Sequence, residues 1–478
     1  MWRGSQQCNR SARRGRFAPC AGALTLVVST LAAVGGSPRQ ALAATYAFNK
    51  NNGSFVWNDT ANWSGGAVPT SDPDTVITFS TTLNTTAADD LGISGLQLNR
   101  LSMTSTGTKS LTVSPNAGNS LNFVASSVGV LPTVQFNRNN TGSFTLSMSF
   151  TVTDALTITS SGTDAGTVSV TGTITNNGGI TFSGAGVSSV ALSAMSGTGG
   201  ITQNASYTVS TGSTETYFGA TAVNSGIFKI TGTGTINNTS GVTINGGEFA
   251  YASSNALTKA ITFTSGTLSG TGTVTAVAAT NNNDTIAPGA TSAATSYGVL
   301  TVKGDLSLKD AASNGSSSGG KLAIGVSKAA LGGSVGAAGG TYDQLAVVST
   351  ATSVDLTNGV LMLTMGANIE AGDVYYILNN QISSGGLTGT FGSATINGTS
   401  ATASTTNIAG TDYQSFSVGP VSFALSYNAV AGTSFGGSGN DVALQIVSVP
   451  EPASLGFAAF GAAGLLNRRR RGRGIISN

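Results

Sequence analysis

The stretch GGITFSGAGVSSVALSAMSGTGGIT, residues 178–202, decides the fold. It opens and closes on the same four residues: Gly178-Gly179-Ile180-Thr181 returns as Gly199-Gly200-Ile201-Thr202, 21 positions later. Further on, Gly226-Ile227-Phe228, Gly247-Glu248-Phe249 and Gly266-Thr267-Leu268 follow one another at displacements of 21 and 19. Thr-Gly-Thr before a β-branched residue recurs at Thr171–Ile174 and Thr271–Val274, with Thr233–Ile236 as a variant. A period near 20 suits one rung of a parallel β-helix, with two or three short strands per rung and Gly or Asn at corners that need positive φ. Alternate Val, Ile, Leu and Phe then point inward and stack on the rungs above and below. Thr and Ser face outward, and Asn lines up in ladders at the turns. A lone rung cannot bury its apolar side, so the pattern has to run through many rungs.

Composition agrees with this reading. Of 478 residues 66 are Gly and 40% are apolar, enough for a core, and Val, Ile and Thr recur throughout, unlike in disordered chains. Charge is sparse. Of 21 Lys and Arg, six precede residue 44 and five fall at 468–473, so residues 44–467 hold 10 against 19 acids, a net of −9. Such a body has no basic footprint for nucleic acid. Both cysteines, Cys8 and Cys20, lie before residue 44, and the chain has no His. Triads, thiol nucleophiles and most transition-metal sites are therefore absent from the body, and its few cations are scattered with none in a dense mixed-charge patch. The expectation is a protein that is not an enzyme, with no catalytic, cofactor-binding or metal residues. A polysaccharide-active β-helix enzyme is the least favoured alternative.

The two ends carry addresses. Residues 1–43 read as a secretory signal peptide: Arg3 to Arg16 supply the positive segment and Ala21–Val34 the apolar one. Ala41 and Ala43 put small residues where a signal peptidase inspects them, predicting cleavage before Ala44. At the other end Val449-Pro450-Glu451-Pro452 precedes the uncharged run Ala453–Leu466, Asn467 and the cluster Arg468, Arg469, Arg470, Arg471. The prolines hold the motif extended and unpaired, where a processing enzyme reaches it. The apolar run is expected to form a short transmembrane helix with the arginines on the cytoplasmic side. Fourteen helical residues rise only about 21 Å, short of the bilayer core, which suits a temporary anchor.

This order of motif, apolar run and arginine cluster resembles the PEP-CTERM sorting signal. The resemblance implies an exosortase-type membrane peptidase as partner, with Pro450, Glu451 and Pro452 as recognised substrate positions. It also implies export across the inner membrane of a Gram-negative-type bacterium to the envelope, outer surface or matrix.

Trp57-Asn58-Asp59, Asn62-Trp63-Ser64-Gly65-Gly66 and Val68-Pro69 open the body. The two indoles serve either as platforms for sugar rings or, in keeping with the usual burial of Trp, as plugs for the open end of a stacked core. Asp72 and Asp74 offer a two-carboxylate loop that suits Ca²⁺, though such a loop is usually a turn. This opening and the Gly/Thr-rich rungs resemble autotransporter-associated β-strand repeat proteins, which implies a right-handed β-helix over about residues 50–300. Asp305 and Asp343 read as turn formers or caps.

The expected fold is all-β: a right-handed parallel β-helix (solenoid) over 44–283, a β-rich C-terminal region over 284–448 closing it, and the sorting tail at 449–478. Two roles remain for it, a structural surface or matrix component and an adhesin whose partner is an extracellular polysaccharide.

Overall fold

A computed structural model describes residues 44–449, except 51, 106–107, 117, 139–141, 163–165, 290–295, 311–318, 349 and 383–385. Among the described residues the only helical element is one 3₁₀ turn, Thr60–Asn62. Everything else is strand and turn, as β-branched residues alternating with polar ones dictate.

The repeat seen in the sequence is the register of the sheets. Ile180 pairs in parallel with Ile201, Phe228 with Phe249, and Phe249 with Leu268. Extending those pairings gives an unbroken inward column: Leu111, Phe144, Val168, Val190, Val209, Phe228, Phe249, Leu268, Ile286, Leu322, Leu361 and Ala394. A second column runs through Ile77, Leu101, Val134, Ile158, Phe182, Gln203, Val223 and Ile244. A third joins Leu98, Phe123, Val152 and Asn176. Three strands per turn, stacked in parallel sheets, make a coil consistent with a β-helix. Nearly all of these side chains are fully buried in one continuous core. Each Val, Leu, Ile or Phe among them contributes about 1.5–3 kcal/mol by leaving water, but only because a rung on either side covers it.

The corner residues divide by physical cause. Gly232 has φ +61° with open space where a Cβ would stand, as a purely positive-φ corner requires. Gly199 does not; a Cβ there would lie 2.4 Å from Gly179 N and 2.5 Å from Asn176 Oδ1. Close approach between rungs, not handedness of the backbone, holds that position to glycine. The expected asparagine ladder is present: Asn224 Nδ2 donates to Asn204 Oδ1 at 2.7 Å, and Asn245 Nδ2 to Asn224 Oδ1 at 3.0 Å. The outward rule for hydroxyls needs correction. Thr211, Thr221 and Thr239 are buried, because Glu215, Tyr217 and backbone carbonyls of neighbouring rungs satisfy them.

The parallel column passes residue 284 without a break, from Leu268 to Ile286 and on to Ala394. What changes there is rung length: Leu268 reaches its partner at Ile286, but Leu322 reaches its own only at Leu361. Antiparallel strands follow: Thr402–Ile408, Thr411–Val418, Val421–Ala429 and Asp441–Ser448. The last also pairs antiparallel with Val374–Asn380, so it occupies an edge that a further parallel rung would need.

The expected transmembrane run at 453–466 lies outside the described residues, among which no helix is long and apolar enough to cross a membrane. Residues 1–43 also lie outside them, including Ala41 and Ala43. Ala44 is described and exposed, and its carbonyl accepts from Val76 N at 2.9 Å.

Candidate functional site

The first rungs present a groove of about 480 Å³ on their outer side. Four parallel strands form its floor: Thr45–Phe48, Val76–Thr81, Arg100–Ser105 and Thr133–Arg138. Because their inward residues alternate with outward ones, the register lines up Thr78, Ser102 and Gln135 in one outer row and places Arg100 between Val76 and Thr133 in the next. A loop at 124–132 forms the wall. It exists because the turn of coil from Arg100 to Thr133 is longer than the next one, from Thr133 to Thr157. The surplus is pinned from beneath. Asp74 accepts from Ser127 N at 2.9 Å and Ser127 Oγ at 2.5 Å, and Asn99 Nδ2 donates to Val124 O and Val130 O. Val128, Val130 and Leu131 are left 64%, 53% and 52% exposed at the rim. The Arg100 guanidinium is exposed, donates from Nε to Thr133 Oγ1 at 3.3 Å, and forms no ion pair among the described residues. Neither this row nor its wall is legible from local sequence, since the unequal steps between paired strands set both.

Trp57 and Trp63 are fully buried, not platforms. Their rings meet edge-on at 5.8 Å, and Phe48 and Phe79 complete the cluster in the first rungs. Trp63 Nε1 donates to Trp57 O at 2.7 Å.

The acids singled out in the sequence are occupied by structure. Asp72 accepts from Asp74 N in a local turn, while Asp74 holds the groove wall 53 residues away. No three acids, His or Cys gather as a metal site among the described residues. Asp305 and Asp343 are ties between rungs, not local turns. Asp305 takes Thr352 N at 2.7 Å and Ser353 N at 3.0 Å, which holds its carboxyl below the usual range. Asp343 takes Gly298 N at 2.9 Å and Gly325 N at 2.7 Å. Asp89 and Asp90 stand side by side in the chain and are occupied too: Asp89 is buried and receives Leu91 N and Asn119 Nδ2, while Asp90 receives Asn58 N.

One expectation fails. The fold does build a mixed-charge cluster: Lys328 Nζ, 2% exposed, donates to Glu370 Oε2 at 2.5 Å and Asp373 Oδ1 at 2.9 Å. The sequence hid it because the partners lie 42 and 45 residues apart. Both acids are engaged by the lysine, and Glu370 also receives Gly332 N, so the cluster has the chemistry of a latch. Hydrogen bonds to the two acids push Lys328 up, and those from Lys328 pull Glu370 down.

Two other carboxyls titrate near neutrality. Glu215, buried between rungs, is pushed up to about 7 by loss of water, against the opposing pull of Thr211 and Met195 N. Asp343 is likewise raised to about 7 by burial, against the pull of Gly325 N and Gly298 N. A carboxyl raised on folding binds its proton more tightly in the native state. Its stabilisation is therefore complete below the unfolded value near 4 and is lost as pH rises towards 7. Glu215→Gln keeps the hydrogen-bond geometry without the charge, since Thr211 Oγ1 can accept as well as donate. We expect the stability difference between wild type and Glu215→Gln to move in the variant's favour by on the order of 1–3 kcal/mol between pH 4.5 and 7.5. Denaturant titrations at a series of pH values check this, and parallel pH profiles would refute it.

The described chain ends at the threshold of the sorting motif. Ser448 closes the last strand, its Oγ 2.8 Å from Ser422 Oγ and 2.7 Å from Pro420 O, and Val449 packs against the core. Pro450, Glu451, Pro452 and the cluster Arg468 to Arg471 lie outside the described residues. Neither the curated proteins nor the solved structures yield a match to the chain. Residues 448–471 match the PEP-CTERM protein-sorting motif, beginning on the last residue of that strand. The chain thus carries a PEP-CTERM sorting motif at 448–471, the mark of a protein exported to the envelope of Gram-negative-type bacteria and sorted by an exosortase-type system.

Proposed function

We propose that this chain is a non-enzymatic structural component of the cell surface or extracellular matrix: a β-solenoid that is exported, cleaved before Ala44 by signal peptidase, and processed near Pro450-Glu451-Pro452 by an exosortase-type peptidase. The apolar run before the arginines anchors it in the membrane until then. The observation that carries the reading is the sorting motif starting where the last strand stops. Supporting it, Asp343, Asp305 and Asp373 hold backbone amides, hydroxyls or Lys328, which leaves them as ties between rungs and not as acids and bases for catalysis. The coil takes the right-handed sense that parallel crossovers favour, in keeping with the resemblance to autotransporter-associated repeat proteins.

The test is fractionation of the native host with antibodies to the body and to the tail, comparing wild type with Glu451→Ala. The wild type should lose its arginine cluster and leave the inner membrane. The variant should keep the cluster and stay there. Equal loss of the tail and the same final compartment for both would sink the sorting step.

A further inference from the structure

We infer that the groove over the first rungs binds an acidic polysaccharide, with Arg100 taking the carboxylate of a uronate sugar. The inference goes beyond the structural role, which stands whether or not the groove is filled.

Several observations converge on this occupant. The groove is of ligand size, about 480 Å³, and its wall is a surplus of chain that the coil does not need. The wall is also held in place in advance. Asp74 and Asn99 fix it from below, while Ser126 closes the turn by accepting Val130 N on its Oγ and Gly129 N on its carbonyl. A site fixed before binding loses little entropy when filled.

The chemistry of the lining selects among ligands. Thr78, Ser102 and Gln135 rise along the floor at the rung spacing of about 4.8 Å, a row of hydroxyl and amide groups suited to the hydroxyls of consecutive sugars. Val128 and Val130 present apolar carbon on the opposite side, where the C–H face of a pyranose ring can lie. Arg100 is the one cation in the lining, and Asp74, the one acid there, is spent on Ser127. An exposed guanidinium without an ion pair among the described residues favours a planar carboxylate, which it can hold with two charge-assisted hydrogen bonds. Residues 44–467 carry a net of −9 with Arg100 included, so the body as a whole disfavours an acidic polymer and binding has to come from a local cationic site.

The experiment titrates the full chain, purified in mild detergent, with oligogalacturonates of defined length by calorimetry. Dextran oligosaccharides serve as the neutral control and poly-glutamate as the acidic peptide control. Wild type should bind oligogalacturonate and neither control. Arg100→Gln should weaken binding at least about tenfold, and Val128→Asp should weaken it through rim repulsion. Lys229→Gln, which removes a cation from a distant rung, should leave it unchanged. Unchanged melting curves for all three variants tie the losses to the groove. Absence of oligogalacturonate binding by wild type overturns the proposal, as does equal binding by Arg100→Gln. Equal affinity for poly-glutamate overturns the sugar assignment in favour of an acidic peptide, and equal affinity for dextran removes the role of Arg100. Sorting of the Glu451→Ala variant is read in a separate assay, so failure of one conclusion leaves the other measurable.

Discussion

Replacing Trp63 by Ala should destabilise the first rungs by about 3–5 kcal/mol, the range for emptying a buried aromatic site. Trp63 is 2% exposed and packs on Phe48 at 5.2 Å and on Trp57 at 5.8 Å. Its Nε1 also satisfies the carbonyl of Trp57, so truncation opens a cavity and orphans a buried acceptor together. In a stack whose rungs touch only their neighbours, damage at one end stays near that end. Hydrogen exchange should therefore show lost protection over Thr45–Phe48, Val76–Thr81 and Arg100–Ser105, with rungs beyond Val190 unchanged. Trp57→Phe should cost less than Trp63→Phe, because Trp57 Nε1 has no acceptor among the described residues and its removal breaks no hydrogen bond. Uniform loss of protection along the whole chain would show that the rungs do not behave as a one-dimensional stack.

Gly199→Val should have a comparable cost with a different signature. A Cβ at this position meets Gly179 N at 2.4 Å and Asn176 Oδ1 at 2.5 Å, both fixed: Asn176 Oδ1 accepts Gly179 N at 2.8 Å, and its Nδ2 donates to Gly200 O at 3.0 Å. Neither neighbour can give way without breaking the tie between two rungs. Overpacking of this kind costs about 3 kcal/mol or more when backbone must move. Because the damage lies in the middle of the stack, it weakens the coupling between the two parts. We expect calorimetric unfolding to split into two transitions where the wild type shows one. A single transition at an unchanged temperature would mean that the rungs can separate here without loss.

The groove shows why some features stay hidden in a sequence. Arg100 sits in an ordinary alternating strand pattern, Leu96 to Met103, and nothing near it in the chain signals a site. It becomes one only because Thr78, Ser102 and Gln135, drawn from three successive turns of unequal length, fall into a row beside it. The Lys328 cluster follows the same rule. Its partners at 370 and 373 are brought by the long turn that joins Leu322 to Leu361, and no local pattern predicts that length.

By itself the sequence determined the sorting tail and the parallel register. The tail is read linearly by an enzyme, so its order of residues is its meaning. The register follows because an apolar side chain in a stacked rung must meet another one coil later. The period of 21 is therefore carried by Ile180 and Ile201 themselves, and the coil pairs them at that period. Tertiary structure alone decided which glycines answer to close approach, which acids tie distant loops, and where the outer face becomes a groove. Those properties depend on irregular loop lengths, and a loop leaves no period behind it in the chain.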